Sequence, residues 1–345
     1  MSEKKTIAVA MSGGVDSSVT AALLKTAGHH VFGITMKLWD GGTAAVDDAA
    51  KVAAHLGIEH HVADFSAAFE KDIMDYFAAE YLGGRTPNPC AKCNKLVKFG
   101  ALLDKAKELG ADTLATGHYA RIVGGDDGEL HLQKAVNIPK DQSYFLFSLH
   151  SDQLGQILFP LGGMSDKAEV RRIAAQYGLP VAEKSDSQDI CFIPDGDYTG
   201  FLERRGVVSN PGEFVLADGT VIGRHMGIHR YTVGQRRGMG IAWTEPLYVL
   251  EIDPIGNRVI VGVETELYKS SLTIGSCNWI RQPKLGEKGL ECKIRYRHRQ
   301  VPCEVRLLAD GRAEISFVNP EKGVTPGQVA VVYRGDEVIG GGWIE

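Results

Sequence analysis

The sequence predicts an α/β chain: a parallel-sheet domain over residues 1–205, a small β-rich domain over 206–268 and a C-terminal β-barrel over 269–345. Three observations carry this. Short apolar runs alternate with helical periodicity along roughly the first 200 residues, the pattern of a parallel sheet covered on both faces. From Pro211 onward, Asp218-Gly219, Ile255-Gly256-Asn257 and Gly335-Asp336 join strand-like segments directly, as hairpins do. The 345 residues also exceed the roughly 100 to 200 of one domain.

Thr6–Met11 is a short apolar run closed by Ser12-Gly13-Gly14, the mark of a buried strand ending in a tight turn. A helix follows over 16–25, with Val19, Ala22 and Leu23 at helical spacing and Gly28 as its stop signal. The alternation repeats as strand 31–36, helix 46–56 before Gly57, strand 60–63 and a long helix 65–82. Residues 83–94 read as a loop, because Pro87 and Pro89 keep the segment out of a helix. A helix over 96–109 then ends at Gly110, a strand occupies 113–116, a hairpin turns near 124–128, and helical segments return around 144–149 and 166–177. Closely spaced short strands from Ser271 onward suggest the barrel.

Composition narrows the function. The 44% apolar and 23% charged fractions are ordinary for a globular chain, and no run approaches the ~18 apolar residues of a membrane span. The start, MSEKK, has no secretory pattern and the six cysteines are too few for a disulfide scaffold, so the chain reads as cytoplasmic, with thiols used for chemistry. The net charge of −5 does not announce a nucleic-acid protein. Local patches do. In ECKIRYRHRQ, residues 291–300, period 2 puts Lys293, Arg295, Arg297 and Arg299 on one strand face and Ile294 and Tyr296 on the other. A second cluster, His229-Arg230-Tyr231 through Gln235-Arg236-Arg237, interleaves cations with an aromatic. Both patches suit RNA.

Ser12-Gly13-Gly14-Val15-Asp16-Ser17-Ser18 sits where a strand turns into a helix, so its glycines and the helix N-terminus should bind phosphates. There is no lysine in this loop, unlike the Walker form, and the serine hydroxyls are the donors on hand. Cys90-Ala91-Lys92-Cys93 lies on or beside the following loop, just before a helix. A helix N-terminus together with Lys92 and Lys95 would favour thiolate there. No second C-x-x-C or His pair supports a zinc knuckle, and Cys277, Cys292 and Cys303 read as small buried hydrophobes.

The SGGVDSS run resembles the pyrophosphate loop of the ATP pyrophosphatases (PP-loop proteins, adenine nucleotide alpha hydrolase-like), which adenylate a carbonyl oxygen. More of the chain is similar to the tRNA-specific 2-thiouridylases: Met36-Lys37-Leu38-Trp39, TPNPCAKCNKLVKF from Thr86, Thr116-Gly117-His118-Tyr119, Lys140-Asp141-Gln142-Ser143-Tyr144, Ser185-Asp186-Ser187-Gln188-Asp189-Ile190-Cys191-Phe192 and GIHRYTVGQRRG from Gly227. That resemblance implies ATP-dependent replacement of the C2 oxygen of the wobble uridine by sulfur in tRNAs for Lys, Glu and Gln. It implies that Ala10, Met11, Ser12, Gly13, Gly14, Val15, Asp16, Ser17, Met36 and Gly117 bind ATP with Mg²⁺. Asn88, Pro89 and Cys90 would face the target base, and His118, Lys140, Asp141, Gln142, Arg295, Tyr296 and Gln328 would touch tRNA. Cys191 would carry a persulfide, supplied by a sulfur donor such as a cysteine desulfurase or sulfur relay protein, and Cys93 would be its partner thiol. Some family members carry Asp at position 90. With cysteine there, Cys90, Cys93 and Cys191 would alternatively hold a [4Fe-4S] cluster carrying the sulfur. An amide-forming ATP pyrophosphatase and a non-catalytic RNA-binding protein are the rival readings.

Overall fold

The structure is a computed structural model that describes residues 4–185 and 189–345. Its N-terminal part contains β1 (Thr6–Ala10), β2 (His30–Lys37), β3 (Glu59–Asp64), β4 (Thr113–Thr116), the hairpin β5 (Ala120–Gly124) and β6 (Leu130–Lys134), and β7 (Ile157–Leu158). The order β3-β2-β1-β4-β7 makes one all-parallel sheet. Along β1 the faces alternate as period 2 demands: Ile7 and Val9 pack under α1 (Val15–Thr26) and α2 (Thr43–Leu56), while Ala8 faces the opposite core. Gly57 ends α2 in the left-handed conformation, as expected of a C-terminal glycine.

The next two helices depart from the sequence reading. Helix α3 spans 66–82 but passes through a π segment, Glu70–Asp75. Helix α4 spans 89–108, with a π segment at Asn94–Ala101, and begins about seven residues earlier than read. The error came from Pro89. It occupies the first turn, where proline's missing N–H costs nothing, and the Asn88 side chain caps the helix by accepting from Ala91 N at 3.1 Å. Cys90 and Cys93 therefore sit in a helical first turn, not on a loop. Helices α5 (Lys167–Gln176) and α6 (Tyr198–Arg204) complete this part; the two-residue β7 and the short α6 carry no periodicity long enough to read from sequence.

The central module holds β8 (Gly212–Val215), β9 (Val221–His225), β10 (Tyr248–Asp253) and β11 (Arg258–Gly262), in the order β10-β11-β8-β9. Both expected hairpins are present, but β11 and β8 run parallel. Strands β12 (Tyr268–Trp279), β13 (Leu290–Lys293), β14 (Val301–Leu307), β15 (Ala313–Lys322), β16 (Val329–Arg334) and β17 (Glu337–Ile344) close into an antiparallel barrel through the β12–β17 pairing. Strand β13 stops at Lys293. Residues 294–300 are the turn back to β14, so the four cations do not share a strand face: Lys293 lies near the rings of Tyr144 and Tyr296, and Arg299 pairs with Glu321 at 3.0 Å. No helix among the described residues is long and apolar enough to cross a membrane.

The barrel is bound to the first domain in two ways. Tyr144, Leu146, Phe147 and Leu149 share a core with Val329, Val331, Tyr333 and Val338, and each fully buried large side chain is worth roughly 1.5–3 kcal/mol. Hairpin β5–β6 also pairs with β17, and there His131 lies between Asp127 (2.9 Å) and Glu337 (2.5 Å). Hydrogen bonds donated by the imidazolium to the Asp127 and Glu337 carboxylates hold it and raise its pKa. A raised folded-state pKa means that this stabilisation is complete below the ordinary histidine value of about 6.5 and is lost as pH rises through the raised one. His131→Gln is accordingly expected to lower the melting temperature at pH ~6 and to flatten its fall toward pH ~8; an unchanged pH dependence would contradict the link.

Candidate active site

The phosphate loop follows β1 at the carboxyl end of the sheet, where open parallel sheets bind ligands. Gly13 has a φ of +66°, and a Cβ there would meet Ala45 O at 2.5 Å, so only glycine fits. Gly14 caps α1 without any side chain, leaving the first N–H groups of a 12-residue helix for an anion. The serines are engaged within the loop: Ser17 Oγ accepts from Ser12 N at 3.1 Å, and Ser18 Oγ donates to Gly14 O at 2.8 Å. Gly117, after β4, comes so close to this loop that a Cβ would lie 2.8 Å from Ser17 N. Met36 lies half-buried near the end of β2; Met11 and Val15 are buried in the core with α1, and Ala10, which ends β1, is half-buried against the other core.

Sequence reasoning missed the cations. Lys167, from the start of α5, donates to both Asp16 oxygens at 2.6 and 2.7 Å, and Tyr119 Oη donates to the same carboxylate at 2.7 Å. Lys184 donates to Gly13 O at 3.0 Å and to Asp48 at 2.9 Å. Two lysines from elsewhere thus stand where the loop has none of its own. For Mg²⁺, which binds through one or two carboxylates plus substrate phosphates, the Asp16 carboxylate is a fitting oxygen donor.

The thiols form the second half of the site. Cys93 is buried in one apolar cluster with Val97, Phe69, Phe77, Phe192 and Ile193, so the residues flanking Cys191 share a core with Cys93; Met36, Leu38 and Trp39 border the same cluster. Cys90 and Cys191 reach solvent, yet protein surrounds them on most sides, as on the floor of a cleft. Residues 186–188 of the Cys191 motif lie outside the described residues. Burial, not proximity to lysine, dominates the thiols: it raises Cys90, pushes Cys191 up to about 11 and Cys93 up to about 12. The expectation that Lys92 and Lys95 favour thiolate is therefore wrong. The charge opposing burial at all three sulfurs is Lys98, which follows Cys93 by five residues; the π segment's i to i+5 spacing stacks the two on one face of α4.

Alkylation tests this. In the tRNA-free enzyme the rate at Cys191 with iodoacetamide is expected to climb about tenfold per pH unit from neutrality, since only the thiolate reacts. Lys98→Met should slow it throughout and Lys98→Arg restore it. A rate already at its plateau near neutral pH, or one indifferent to Lys98, would contradict the electrostatics.

The residues assigned to tRNA divide. Arg295 is exposed; Lys140 and Tyr296 are half-buried. Asp141 is buried, its carboxylate accepting from Ala135 N, Ser143 N and Ser143 Oγ, so it fixes the turn that carries Lys140 and does not face outward. His118 is also interior, packed near the rings of Phe99 and Phe159 with Nδ1 2.7 Å from Thr116 Oγ1; burial and Lys98 hold it well below the usual histidine range. Gln142 accepts from Tyr119 N through Oε1, and Gln328 donates to Thr86 O and Pro87 O, clamping the segment that leads to the buried Asn88 and Pro89. In the second cluster His229 and Tyr231 are buried and Arg230 pairs with Glu203; Arg236 and Arg237 are exposed. Cys292 and Cys303 are buried in the barrel and Cys277 partly so.

A cluster of the [4Fe-4S] kind needs converging thiolates. Among the described residues no three His, Cys, Asp or Glu side chains gather to hold one metal ion, so the side chains as placed do not form a cluster site.

Residues 5–195 match the family described as tRNA methyl transferase HUP domain, 199–263 the tRNA methyl transferase PRC-barrel domain and 269–344 the Aminomethyltransferase beta-barrel domain. The chain is 52% identical over 343 residues to the tRNA-specific 2-thiouridylase MnmA of Trichlorobacter lovleyi, covering 98% of this chain and 97% of that one. The relative of the same name from Geobacter metallireducens is 52% identical over 363 residues (100% and 98% covered), and that from Acidithiobacillus ferrooxidans 47% over 352 (100% and 99%). These matches extend over nearly the whole chain at about half identity, and the chain belongs to the tRNA-specific 2-thiouridylase family.

Proposed function

We propose that the chain is a cytoplasmic enzyme that 2-thiolates the wobble uridine, U34, of tRNAs for Lys, Glu and Gln, with the chemistry in residues 1–205 and with 206–268 and 269–345 helping to hold the tRNA. The observation that carries this is the packing of two cysteine segments, around Cys93 and Cys191, beside residues at the carboxyl end of the sheet that also bears the phosphate loop.

The C2 oxygen of uridine is amide-like and leaves poorly. It first attacks the α-phosphorus of ATP, losing the N3 proton and releasing pyrophosphate, whose charge the α1 N-terminus, Lys167 and Lys184 stabilise. Mg²⁺ bound with the nucleotide would add to that neutralisation, with Asp16 as its protein ligand. The terminal sulfur of a Cys191 persulfide, a far stronger acid than a thiol and so anionic in these surroundings, then attacks C2. AMP departs, leaving C2–S–S–Cys191. Cys93 attacks Cys191 Sγ, the C2 sulfur leaves as 2-thiouridine with the proton regained at N3, and a Cys93–Cys191 disulfide remains. The transferred sulfur has been reduced and two thiols oxidised, so an external thiol must reset the enzyme and a sulfur donor protein, a cysteine desulfurase or relay protein, must reload Cys191. Asn88, Pro89 and Cys90 border the base. Lys140, Arg295 and Tyr296 meet the RNA, while His118, Asp141, Gln142 and Gln328 hold those surfaces from behind.

Persulfide-loaded enzyme mixed with unmodified tRNA and labelled ATP should form AMP and 2-thiouridine in equal amounts. AMP without thiouridine would favour an amide-forming synthetase, and tRNA binding without AMP a non-catalytic protein.

A further inference from the structure

Lys92 and Lys95 lie one turn apart on α4, and both ammonium groups rest on one ring of the barrel: they are 5.6 and 5.3 Å from the centroid of Trp343 on β17. Lys92 is also 4.9 Å from the ring of Tyr76 on α3. All four residues are half-buried. Cation–π contacts are weaker than an ion pair with a carboxylate, and two ammonium groups on one ring repel each other, so stacking offsets their charge only in part. Burial and Lys92 push Lys95 below the ordinary lysine range, and among the described residues neither lysine forms an ion pair with a carboxylate. This is unusual in a chain with 43 acidic against 38 basic residues, where Lys134 pairs with Asp336 and Lys167 with Asp16. Two ammoniums held on aromatic faces without a carboxylate are a site for an anion from outside.

Position identifies it. The Tyr76 hydroxyl adjoins the backbone of Asn88, the residue that caps the helix carrying Cys90 and Cys93, and Gln328 of the barrel clamps the same segment. The nucleotide's phosphates already have their own loop and lysines. Building on the thiolation reading, we infer that Lys92 and Lys95, stacked on Trp343 at the junction of the two domains, seat one backbone phosphate of the tRNA beside the nucleotide being modified.

The test is the salt dependence of binding to unmodified tRNA. The double variant Lys92→Gln, Lys95→Gln is expected to lower the slope of log K against log salt by about one and to weaken binding roughly tenfold near 0.1 M salt, with Lys92→Arg, Lys95→Arg restoring both. Anticodon stem-loop RNAs bearing one neutral methylphosphonate at successive positions should locate the phosphate: a single position near the target should weaken wild-type binding equally and add nothing to the double variant. An unchanged slope accompanied by a lower melting temperature would overturn the seat and leave the lysines as a joint between domains. Additive losses at every position would overturn it too. Wild-type protein that binds no tRNA would instead defeat the thiolation reading itself.

Discussion

Cys191→Ser and Cys93→Ser are each expected to reduce thiolation of tRNA by on the order of 10³-fold or more while leaving AMP formation in place, because a nucleophile that acts only in the second half of a reaction is not needed for the first. The two variants should fail differently. Serine at 191 has no sulfur to load, so no adduct forms. Serine at 93 leaves the loaded sulfur free to attack C2 but removes the thiol that breaks the S–S bond, so RNA should accumulate on Cys191 through a disulfide that an external thiol cleaves, releasing 2-thiouridine. Gel electrophoresis of a single turnover with and without reductant reads this directly. Cys90→Ser should keep most of the activity, since in the proposed scheme Cys90 would border the base and carry no sulfur. A Cys90→Ser enzyme that lost activity and iron together would defeat the persulfide relay, and so would a Cys93→Ser enzyme that turned over normally.

The parallel-sheet half was legible because its signals are local: the apolar run 6–11, the glycines at 13 and 14 and the periodicity of 16–25 all lie within about twenty residues of one another. Where the reading failed, a local signal had two physical outcomes. Pro89 reads as excluding a helix, yet proline at the first helical position does not, and Asn88 ahead of it is itself a helix-start signal. The alternation in 291–300 survives in the fold, with Arg295, Arg297 and Arg299 exposed and Ile294 buried, but a hairpin turn produces it there and not a strand. Asp141 sits in a polar motif like a contact residue, although three backbone and hydroxyl donors within eight residues use up its carboxylate.

The functional groups that escaped entirely are those without any local signal. Lys167 is 151 positions from Asp16 and Lys184 is 171 from Gly13, so only the packing of α5 against α1 and the path of the chain after it bring them to the loop. Lys98 stood in plain view, but its approach to Cys93 depends on a π segment that no apolar periodicity announces. The sign of the thiol shifts escaped for a related reason. A helix N-terminus and nearby lysines suggest an acidic thiol, whereas the apolar cluster that buries Cys93 is assembled from three separated segments and outweighs them.

Asp16→Asn and Lys167→Met are expected to slow AMP formation by about 10²–10³-fold each, the usual loss when one preorganised charge at a transition state is removed. The ammonium of Lys167 is held at 2.6 and 2.7 Å from both Asp16 oxygens, with only 15% of its side chain exposed. In the proposed reaction the phosphates of ATP would compete for Lys167, and the Asp16 carboxylate so released would be a ligand for Mg²⁺, so the two members of the pair should not act independently. The double variant should accordingly lose less than the product of the two single losses. Because the RNA-facing side chains lie on other elements, tRNA affinity should stay within a few-fold, and sulfur loading of Cys191 should be unaffected. Rapid-quench measurement of labelled AMP with saturating tRNA separates these cases. Adenylation at the wild-type rate in Asp16→Asn would remove the loop from the chemistry, whereas a parallel fall in tRNA affinity and melting temperature would make the Asp16–Lys167 pair a support of the fold and not of the nucleotide.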